Sequence, residues 1–334
     1  MNSEWIECVR WCHWAEDQAS IDTLIETLDD LCLRSKYSSP ILTKSRVDFG
    51  IRTSGYLVMY PGALASIGNL RTESTDTMSN DRVEMERKWS VEIARELFQA
   101  AFDQGAEIVQ AISPLVASRL SNDLDSAFIS TAPQRDIVFA SAGMAPVAKL
   151  IQMACVGIQT IPRLTVPALG LDCGELDFIP YHEFLPNQWS QLVERTYIET
   201  RDVPELNGLR STESTLAGYA SAIHGVPKTW WVVRCKSVPI GCLLLTPTAA
   251  RCCEITYLGL VPEWRGKGFS KVIMNFVRDW ALESGIEGIT LAVDLRNSPA
   301  IRLYQSCGFM TDQFVQAWIC FPNRQPKVGG REFT

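Results

Sequence analysis

One turn constrains this chain more than any other feature of its sequence. Residues 261–272 read V-P-E-W-R-G-K-G-F-S-K-V, with two glycines around a lysine, between a β-rich apolar run and a run with helical spacing. Glycine permits a left-handed backbone and a close approach of main-chain atoms to a ligand. A helix that begins at such a turn exposes unpaired N–H groups and the positive end of its dipole, which together attract an anion. We therefore interpret residues 265–270 as a diphosphate-binding turn; a surface turn with solvated charges is the alternative.

The turn differs from two common phosphate-binding loops. It lacks the longer glycine spacing and the Lys-Ser/Thr ending of a nucleoside-triphosphate loop. It also lacks the three-glycine dinucleotide fingerprint, with its acidic residue about twenty positions further on.

The turn does resemble motif A of the GNAT superfamily, the acyl-CoA-dependent N-acyltransferases. That motif reads Arg/Gln-x-x-Gly-x-Gly/Ala, and here it is Arg265-Gly-Lys-Gly268-Phe-Ser270, with serine in the last position. A second block is similar to the family's L-x-V-x-x-x-N-x-x-A-x-x-L-Y-x-x-x-G-F signature, with Leu291, Val293, Asn297, Ala300, Leu303, Tyr304, Gly308 and Phe309. The resemblance implies an α/β (α+β) fold and acetyl-CoA as cosubstrate.

The resemblance also implies where acetyl-CoA binds: in a V-shaped gap between the strand before the turn and the strand over residues 288–294. Backbone groups of Leu258 and Leu260 would pair with the pantetheine arm like an added strand; plain core packing is their alternative role, and both can hold. The N–H groups of residues 265–271 would hold the diphosphate, and Arg265 and Lys267 would add charge-assisted contacts. The complete set of predicted cofactor-binding residues is Leu258, Gly259, Leu260, Arg265, Gly266, Lys267, Gly268, Phe269, Ser270, Lys271, Asn297 and Ala300.

Two residues occupy positions that the resemblance makes catalytic. Tyr304 is the predicted general acid, which protonates the departing thiolate. Glu254, on the strand before the turn, is the predicted base, acting directly or through water with its pKa raised by burial. The alternatives are an aromatic packing residue for Tyr304 and an exposed edge carboxylate for Glu254.

The acceptor is predicted to be an amine, either a small molecule or a peptide amine such as a protein N-terminus or a lysine. In this family the first two helices and their connection recognise it, which corresponds here to residues 196–211. Glu199, Asp202 and Glu205 could attract a cationic amine. A solvated acidic loop is the alternative.

The second half shows helices at 187–197, at 211–223 and from Ser270, and strands at 229–235, 240–246, 253–261, 288–294 and 314–321. Ser298, followed by proline, is the predicted N-cap of a further helix ending near Ser306. These elements predict a mixed, mostly antiparallel sheet flanked by helices, with one central strand–helix–strand unit.

The first half carries weaker versions of these parts, with paired strands at 55–62 and 63–70, a helix at 89–104 and a strand at 106–112. Residues 139–155 align with residues 304–320 without a gap, which predicts two tandem GNAT-like domains laid out as in mycothiol synthases, the first half packing on the second. The predicted boundaries are 1–164, a linker at 165–177, and 178–334. Phe139 stands opposite Tyr304, and D-R-V-E-M-E-R-K-W precedes the first-half helix without a glycine, so we interpret the first copy as degenerate. An unrelated α/β domain is the alternative.

Composition sets the remaining limits. The formal net charge of −7 gives no basic surface for nucleic acid or anionic lipid, so neither nucleic acid nor a membrane is an expected partner. No apolar stretch reaches the length of a membrane span and the start lacks an apolar signal core, which favours a cytoplasmic location with reduced thiols. No metal is expected; Cys8, Cys12 and His13 could seed a site, but an amphipathic helix explains them better.

These inferences predict an N-acetyltransferase with one working site in the second half. The alternative is a non-catalytic acyl-CoA-binding or regulatory module, suggested by Ser270 and by the degenerate first half.

Overall fold

The structure is a computed structural model that describes residues 41–48, 51–60, 64–74, 80–117, 128–130, 133–165, 176–220, 227–249 and 251–322. Two compact units divide the chain: Met1–Ala148 together with Val315–Thr334, and Lys149–Phe314. The predicted boundaries differ, since residues 149–164 belong to the second unit and residues from Val315 onward to the first. Both divisions fall inside strands, where no proline- or glycine-rich stretch marks them.

The second unit is a mixed sheet covered on both faces by helices. Its strand order is β6 (Ala145–Val156, from Lys149 onward), β11 (Gly288–Asp294), β10 (Cys252–Leu260), β9 (Val238–Ala249), β8 (Trp230–Cys235) and β7 (Leu176–Pro180). Neighbouring strands are antiparallel except for β10 and β11. Parallel neighbours need a crossover connection, and this one is formed by helix α5 (Phe269–Glu283).

Alternating residues of β9 divide the core of the second unit. Leu243 and Leu245 pack with α5 and with helix α6 (Ser298–Ser306) on one face. Cys242 and Leu244 pack on the other face with helices α3 (Pro186–Tyr197) and α4 (Thr212–Ala220). Because both faces of β9 are buried, its sequence is apolar throughout its centre.

The predicted elements of the second half are found, with corrections at several ends: the strand predicted at 314–321 begins at Met310, and residues 221–223 of the helix predicted at 211–223 lie outside the described residues. Residues 288–294 and the helix ending at Ser306 are found with the predicted bounds. The N-cap of α6, however, is Asn297, whose side chain accepts from the Ala300 N–H, so Ser298 is the first helical residue. The β8–β9 hairpin turns at Lys236 and Ser237, both at positive φ (48° and 67°). The next two residues, Val238 and Pro239, lie between the two predicted strands but already belong to β9.

The first unit contains strands β1 (Ile41–Asp48), β2 (Ile51–Tyr60), β3 (Leu64–Ser74), β4 (Ile108–Ala117) and β5 (Phe128–Ser130), and helices α1 (Asn80–Asp103) and α2 (Pro133–Ser141). Strands β1, β2 and β3 are antiparallel, whereas β3 and β4 are parallel. The end of strand β12 (Met310–Cys320) supplies Trp318, whose indole N–H donates to Ser113 Oγ (2.9 Å) and whose ring meets Phe139 edge-on.

Helix α1 begins nine residues before its predicted start. The segment D-R-V-E-M-E-R-K-W, expected as a loop, is therefore helical. The apolar period that locates the helix begins only at Trp89, which is also the first buried side chain among the described residues of α1. A polar start with neither glycine nor proline gives no signal of where the helix begins.

Among the cysteines that the structure describes, all but Cys235 follow the predicted reduced state. Free thiols are found at Cys155, Cys242, Cys252, Cys253, Cys307 and Cys320. Cys235, buried at the end of β8, is disulfide-bonded, which corrects the expectation for that residue. In the described part of the chain, no three metal-ligating side chains form a cluster; Cys8, Cys12 and His13 lie outside it. None of the helices described here is long and apolar enough to cross a membrane.

Candidate functional site

Strands β10 and β11 separate along their length. They pair only where Cys252–Glu254 face Gly288–Thr290. Beyond this point β10 continues to Leu260 on β9, and β11 continues to Asp294 on β6. Because the two strands are parallel and diverge, a wedge opens between residues 255–260 and residues 291–294. We call this wedge the fork.

A β-bulge coincides with the start of the fork. Ile255 faces Leu245 of β9 while Tyr257 faces Leu244, so Thr256 is an extra residue in β10. A bulge bends its strand and increases the local twist, and here it lies where β10 leaves β11. The Thr256 hydroxyl donates to Thr246 Oγ1 (2.6 Å), which ties the bulge to β9.

The peptide groups at the end of β10 point alternately to β9 and into the fork. The Val261 N–H donates to the Ile240 carbonyl (2.9 Å) of β9. Since alternate residues of a strand face opposite neighbours, Leu258 and Leu260 direct their peptide groups into the fork. This orientation supports the predicted contact of these leucines with an extended, amide-containing ligand. The Leu260 carbonyl, however, already accepts from Arg265 Nε (2.9 Å).

Gly259 has a packing role. It pairs with Cys242 on β9. A Cβ atom added here would lie 2.7 Å from both Cβ and Oγ1 of Thr196 and 2.8 Å from Cε1 of Tyr257. The missing side chain therefore lets α3 approach the sheet closely, and the predicted cofactor contact of Gly259 stays a prediction.

The glycine turn has the backbone conformation that the sequence predicts. Gly266 and Gly268 have φ of 72° and 87°, and Gly268 is the N-cap of α5 with no side-chain cap. Among the residues that the structure describes, no acceptor bonds the five N–H groups from Gly266 to Ser270. The ends of the predicted run are already used, because the Arg265 N–H donates to Pro262 O and the Lys271 N–H to Gly268 O. The predicted anion site therefore has five available N–H donors, those from Gly266 to Ser270.

The two basic side chains of the turn have different surroundings. The Arg265 guanidinium donates to three carbonyls, those of Leu260 (2.9 Å), Glu199 (3.0 Å) and Thr196 (2.9 Å). Three of its donors are thus directed to protein carbonyls, and the charge-assisted contact of Arg265 with a diphosphate stays a prediction. Lys267 is exposed, and its Nζ lies 5.5 Å from the centroid of the Trp264 ring.

Tyr304 lies buried on α6 with 7% of its surface exposed. Its ring packs against Phe309 at 5.8 Å, and in the described structure its hydroxyl has no hydrogen-bond partner. Burial raises the pKa of Tyr304 above that of a free phenol, and the negative charge of Asp202 raises it further. The phenol is therefore protonated at neutral pH, which is the state that a general acid requires.

Glu254 is the last residue of β10 that pairs with β11, so it stands at the vertex of the fork. It faces Thr246 on one neighbouring strand and Thr290 on the other, and its side chain is half-buried. This central position excludes the alternative of an exposed edge carboxylate. No described residue donates a hydrogen bond to its carboxylate, and burial raises its pKa, as predicted.

The acidic loop after α3 is mostly occupied by internal contacts. Both Glu205 oxygens accept from Arg296 (2.5 and 2.8 Å), which holds the pKa of Glu205 below its usual value. Asp202 Oδ1 accepts the Asp294 N–H (2.9 Å), and burial raises the pKa of Asp202. Glu199 is exposed. The alternative of a fully solvated loop is therefore wrong for Asp202 and Glu205.

Sequence reasoning missed Asp294 and Arg296. Asp294 is fully buried, and both of its carboxylate oxygens accept from Arg296. A charged residue at the end of an otherwise apolar strand was the available signal. Asn297, a predicted cofactor contact, caps α6 and also hydrogen-bonds Asp202. Ala300 supplies the capped N–H, and the cofactor roles of both residues stay predictions.

Comparisons with known proteins identify the class of this region. Residues 188–309 match the family model described as "Acetyltransferase (GNAT) family". The match includes α3, the glycine turn and Tyr304. Streptothricin acetyltransferase of Escherichia coli is 33% identical over 70 residues, which are 21% of this chain and 40% of that protein. The chain thus spans less than half the length of this curated relative.

Two solved structures have the same fold at low identity. The GCN5-related N-acetyltransferase from Sphaerobacter thermophilus has a TM-score of 0.51 and 16% identity, over 83% of this chain and 84% of that one. A tandem GNAT protein from the clavulanic acid biosynthesis pathway has a TM-score of 0.50 and 13% identity, over 96% and 95%. At such identities the likeness shows the fold alone. Residues 188–309 thus resemble the GNAT acetyltransferase family, and the described fold is mixed α/β.

Proposed function

We propose that this protein transfers an acetyl group from acetyl-CoA to a primary amine, at a single active site in the fork. The observation that carries this proposal is the arrangement of unused polar groups around the fork. Five N–H groups at the glycine turn, the peptide groups of Leu258, the Tyr304 hydroxyl and the Glu254 carboxylate have no partner in the described structure. Donors and acceptors that have no partner within the protein are available to bind a ligand.

Each of these groups has a part in the reaction. The five N–H groups bind the diphosphate of acetyl-CoA, and the Leu258 peptide groups bind its pantetheine arm. The amine nitrogen forms a bond to the thioester carbonyl carbon while the carbon–sulfur bond breaks. Glu254 accepts the proton that the amine loses, directly or through water, and Tyr304 donates its proton to the departing thiolate.

We also propose that the two halves of the chain are copies of one fold. Strands β1–β3, helix α1, strand β4 and helix α2 follow the same order as β8–β10, α5, β11 and α6, except that the short strand β5 lies between β4 and α2. In both halves the third strand is parallel to the strand that follows the first of these helices. This shared order supports the proposal independently of the sequence alignment.

The helix ends of the two halves agree in detail. Helices α1 and α5 end with equivalent bonds, Ala106 N to Ala101 O and Ile286 N to Ala281 O, after Gly105 and Gly285. Helices α2 and α6 do so as well, with Met144 N to Phe139 O and Phe309 N to Tyr304 O, after Gly143 and Gly308. All four glycines have positive φ. The second pair supports Phe139 as the counterpart of Tyr304.

The first copy, on this proposal, has no cofactor site. When α1 and α5 are aligned by their C-terminal ends, α1 begins nine residues before the position that corresponds to Phe269. The first copy is therefore helical where the second copy has its glycine turn. Helical N–H groups are bonded within the helix and are not available to an anion. Phe139 also lacks an acidic proton.

Calorimetry with acetyl-CoA and a thiol-release assay test the proposed function. The assay uses streptothricin, spermidine and L-lysine as amines, the first because the curated relative is named for it. We expect heat of binding and amine-dependent release of free CoA. Absence of binding would overturn the proposal, and binding without transfer to any amine would favour the non-catalytic module.

Glu254→Gln tests the base. We expect kcat to fall by about 10²- to 10⁴-fold, because the glutamine amide cannot accept the amine proton. Since burial raises the pKa of Glu254 in the folded state, its carboxyl destabilises the fold as pH rises above the ordinary carboxyl value. The variant should therefore melt at a higher temperature than wild type at about pH 8, with the difference disappearing below about pH 4.

Glu287→Gln is the matched control, because Glu287 is an exposed acid paired with Arg251. It should change neither kcat nor the pH dependence of melting by a comparable amount. An unchanged kcat in Glu254→Gln would exclude Glu254 as the base.

A further inference from the structure

The segment over residues 196–205 lies across the open end of the fork. It runs from the last turn of α3 to the short 3-10 helix Pro204–Leu206. Its first part is bonded to the end of β10 and its last part to the end of β11. The ends of parallel strands lie at the same edge of a sheet, so this segment bridges the two arms. We call it the strap.

Arg265 anchors the strap to β10. Its Nε donates to the Leu260 carbonyl at the end of β10, while Nη1 and Nη2 donate to the carbonyls of Glu199 and Thr196. The Thr196 carbonyl belongs to the last turn of α3, where helix carbonyls lack intrahelical partners. The planar guanidinium thus holds three carbonyls from two segments in one fixed geometry.

Arg296 and Asp294 anchor the strap to β11. The Val203 N–H donates to Asp294 Oδ2 (3.1 Å), and the Asp294 N–H donates to Asp202 Oδ1. Arg296 bonds both Asp294 oxygens and, through its two terminal nitrogens, both oxygens of Glu205. Asp294 has no exposed surface, so its carboxylate is shielded from water, whereas the bonds between Arg296 and Glu205 are exposed.

The strap is strained beside each anchor. Glu199 has a φ of 52° and Val203 a φ of 41°, which is the left-handed region that a β-branched residue rarely occupies. Such strained residues persist only where the surroundings fix them. Glu199 accepts from Arg265, and Val203 donates to Asp294. The anchors therefore hold a backbone that would relax without them.

We propose that Arg265 and Arg296 are positioning residues, which fix the strap as a wall across the fork and thereby orient the amine acceptor toward the acetyl group. This inference rests on the proposed function. It gives Arg265 a part in acceptor placement instead of a direct contact with acetyl-CoA. The strap also carries Asp202, whose charge raises the pKa of Tyr304, so the wall stands next to the predicted acid.

The test uses the full chain with Arg265→Lys and Arg296→Lys, which keep the charge and remove the planar fork of donors. Glu205→Gln weakens the contact between the strap and Arg296 without changing either arginine. Arg251→Lys is the control, since Arg251 also bonds a carbonyl and a carboxylate, those of Gly285 and Glu287. Three quantities are measured: the Kd of acetyl-CoA, kcat and KM for whichever of streptothricin, spermidine and L-lysine reacts fastest, and amide hydrogen exchange of the strap.

We expect kcat/KM for the amine to fall by about 10- to 100-fold in the anchor variants, mainly through KM, because small misplacements of a substrate are this costly. The Kd of acetyl-CoA should stay within about twofold, and the strap amides should exchange faster. Arg251→Lys should change none of these.

Two results would overturn the inference. One is unchanged exchange in the strap, which would mean that the arginines do not hold it. The other is a weakened Kd for acetyl-CoA with an unchanged KM for the amine. If the wild-type chain binds acetyl-CoA but acetylates none of the amines, the proposed function fails, while hydrogen exchange still decides whether the arginines hold the strap.

Discussion

Tyr304→Phe should lower kcat for acetyl transfer by about 10²- to 10⁴-fold, the range that general acid catalysis contributes. The substitution removes one oxygen from a buried ring that packs against Phe309. Because that hydroxyl has no partner in the described structure, its loss breaks no hydrogen bond and should not destabilise the fold. The Kd of acetyl-CoA should also be unchanged, since the diphosphate binds at the other end of the site. Stopped-flow or steady-state thiol release gives kcat, and calorimetry gives Kd.

Tyr181→Phe is the control for this experiment. Tyr181 is also a packed tyrosine whose pKa is raised by burial, but its ring contacts Trp189 and Trp230 on the α3 face, away from the fork. Its loss should leave kcat within about twofold, as for a phenol that takes no part in proton transfer. Equal activities for Tyr304→Phe and wild type would assign Tyr304 to packing, the alternative that the sequence left open.

The elements of the second unit that the sequence predicted best have local end signals. Strand β11 begins at Gly288, after a helix that ends at Gly285, and α6 begins beside Pro299. Glycine permits a positive φ and proline fixes φ wherever they stand, so such ends are encoded within a few residues. Helix α1 has no such signal at its start, and its predicted beginning was wrong by nine residues.

Long-range contacts explain what the sequence could not predict about the site. The side chain of Arg265 bonds carbonyls that lie 66 and 69 residues earlier in the chain. An arginine beside a glycine turn is equally compatible with a phosphate contact and with an internal anchor, and only the folded chain distinguishes them. The bonds of Arg296 to Glu205, 91 residues away, have the same origin. The sequence therefore predicted the backbone conformation of the glycine turn but not the partners of its charged side chains.

The fork itself combines both kinds of information. A glycine turn after a strand predicted where an anion would bind, and the resemblance predicted a gap beside it. The bulge at Thr256, which coincides with the parting of the strands, has no glycine or proline to announce it. It becomes visible only in the register of β10 against β9, which depends on side chains packed on both faces. The local sequence thus predicted where the site lies, and the packing of the sheet determines the shape of the fork.

Gly266→Ala should weaken the binding of acetyl-CoA by about 5- to 150-fold while the fold stays intact. Gly266 has a φ of 72° and open space around the position of a Cβ atom, so the alanine meets no clash but strains the backbone. Without a ligand, the turn of the variant can relax out of the left-handed conformation. Binding of acetyl-CoA must then restore that conformation, at a cost of about 1–3 kcal/mol in binding free energy. Calorimetry with acetyl-CoA measures the change, and kcat at saturating acetyl-CoA should recover toward the wild-type value.

The matched control is Gly285→Ala, at the end of the same helix. Gly285 has a φ of 68° and equally open surroundings, so its substitution imposes a similar strain. The turn at Gly285 joins α5 to β11 at the opposite end of the helix from the proposed diphosphate donors. Gly285→Ala should therefore lower the melting temperature without changing the Kd of acetyl-CoA. Equal losses of affinity in the two variants would mean that strain anywhere in α5 impairs binding, and an unchanged Kd in Gly266→Ala would remove the glycine turn from the site. A loss confined to Gly266→Ala requires instead that the left-handed backbone at the start of α5 itself holds the diphosphate.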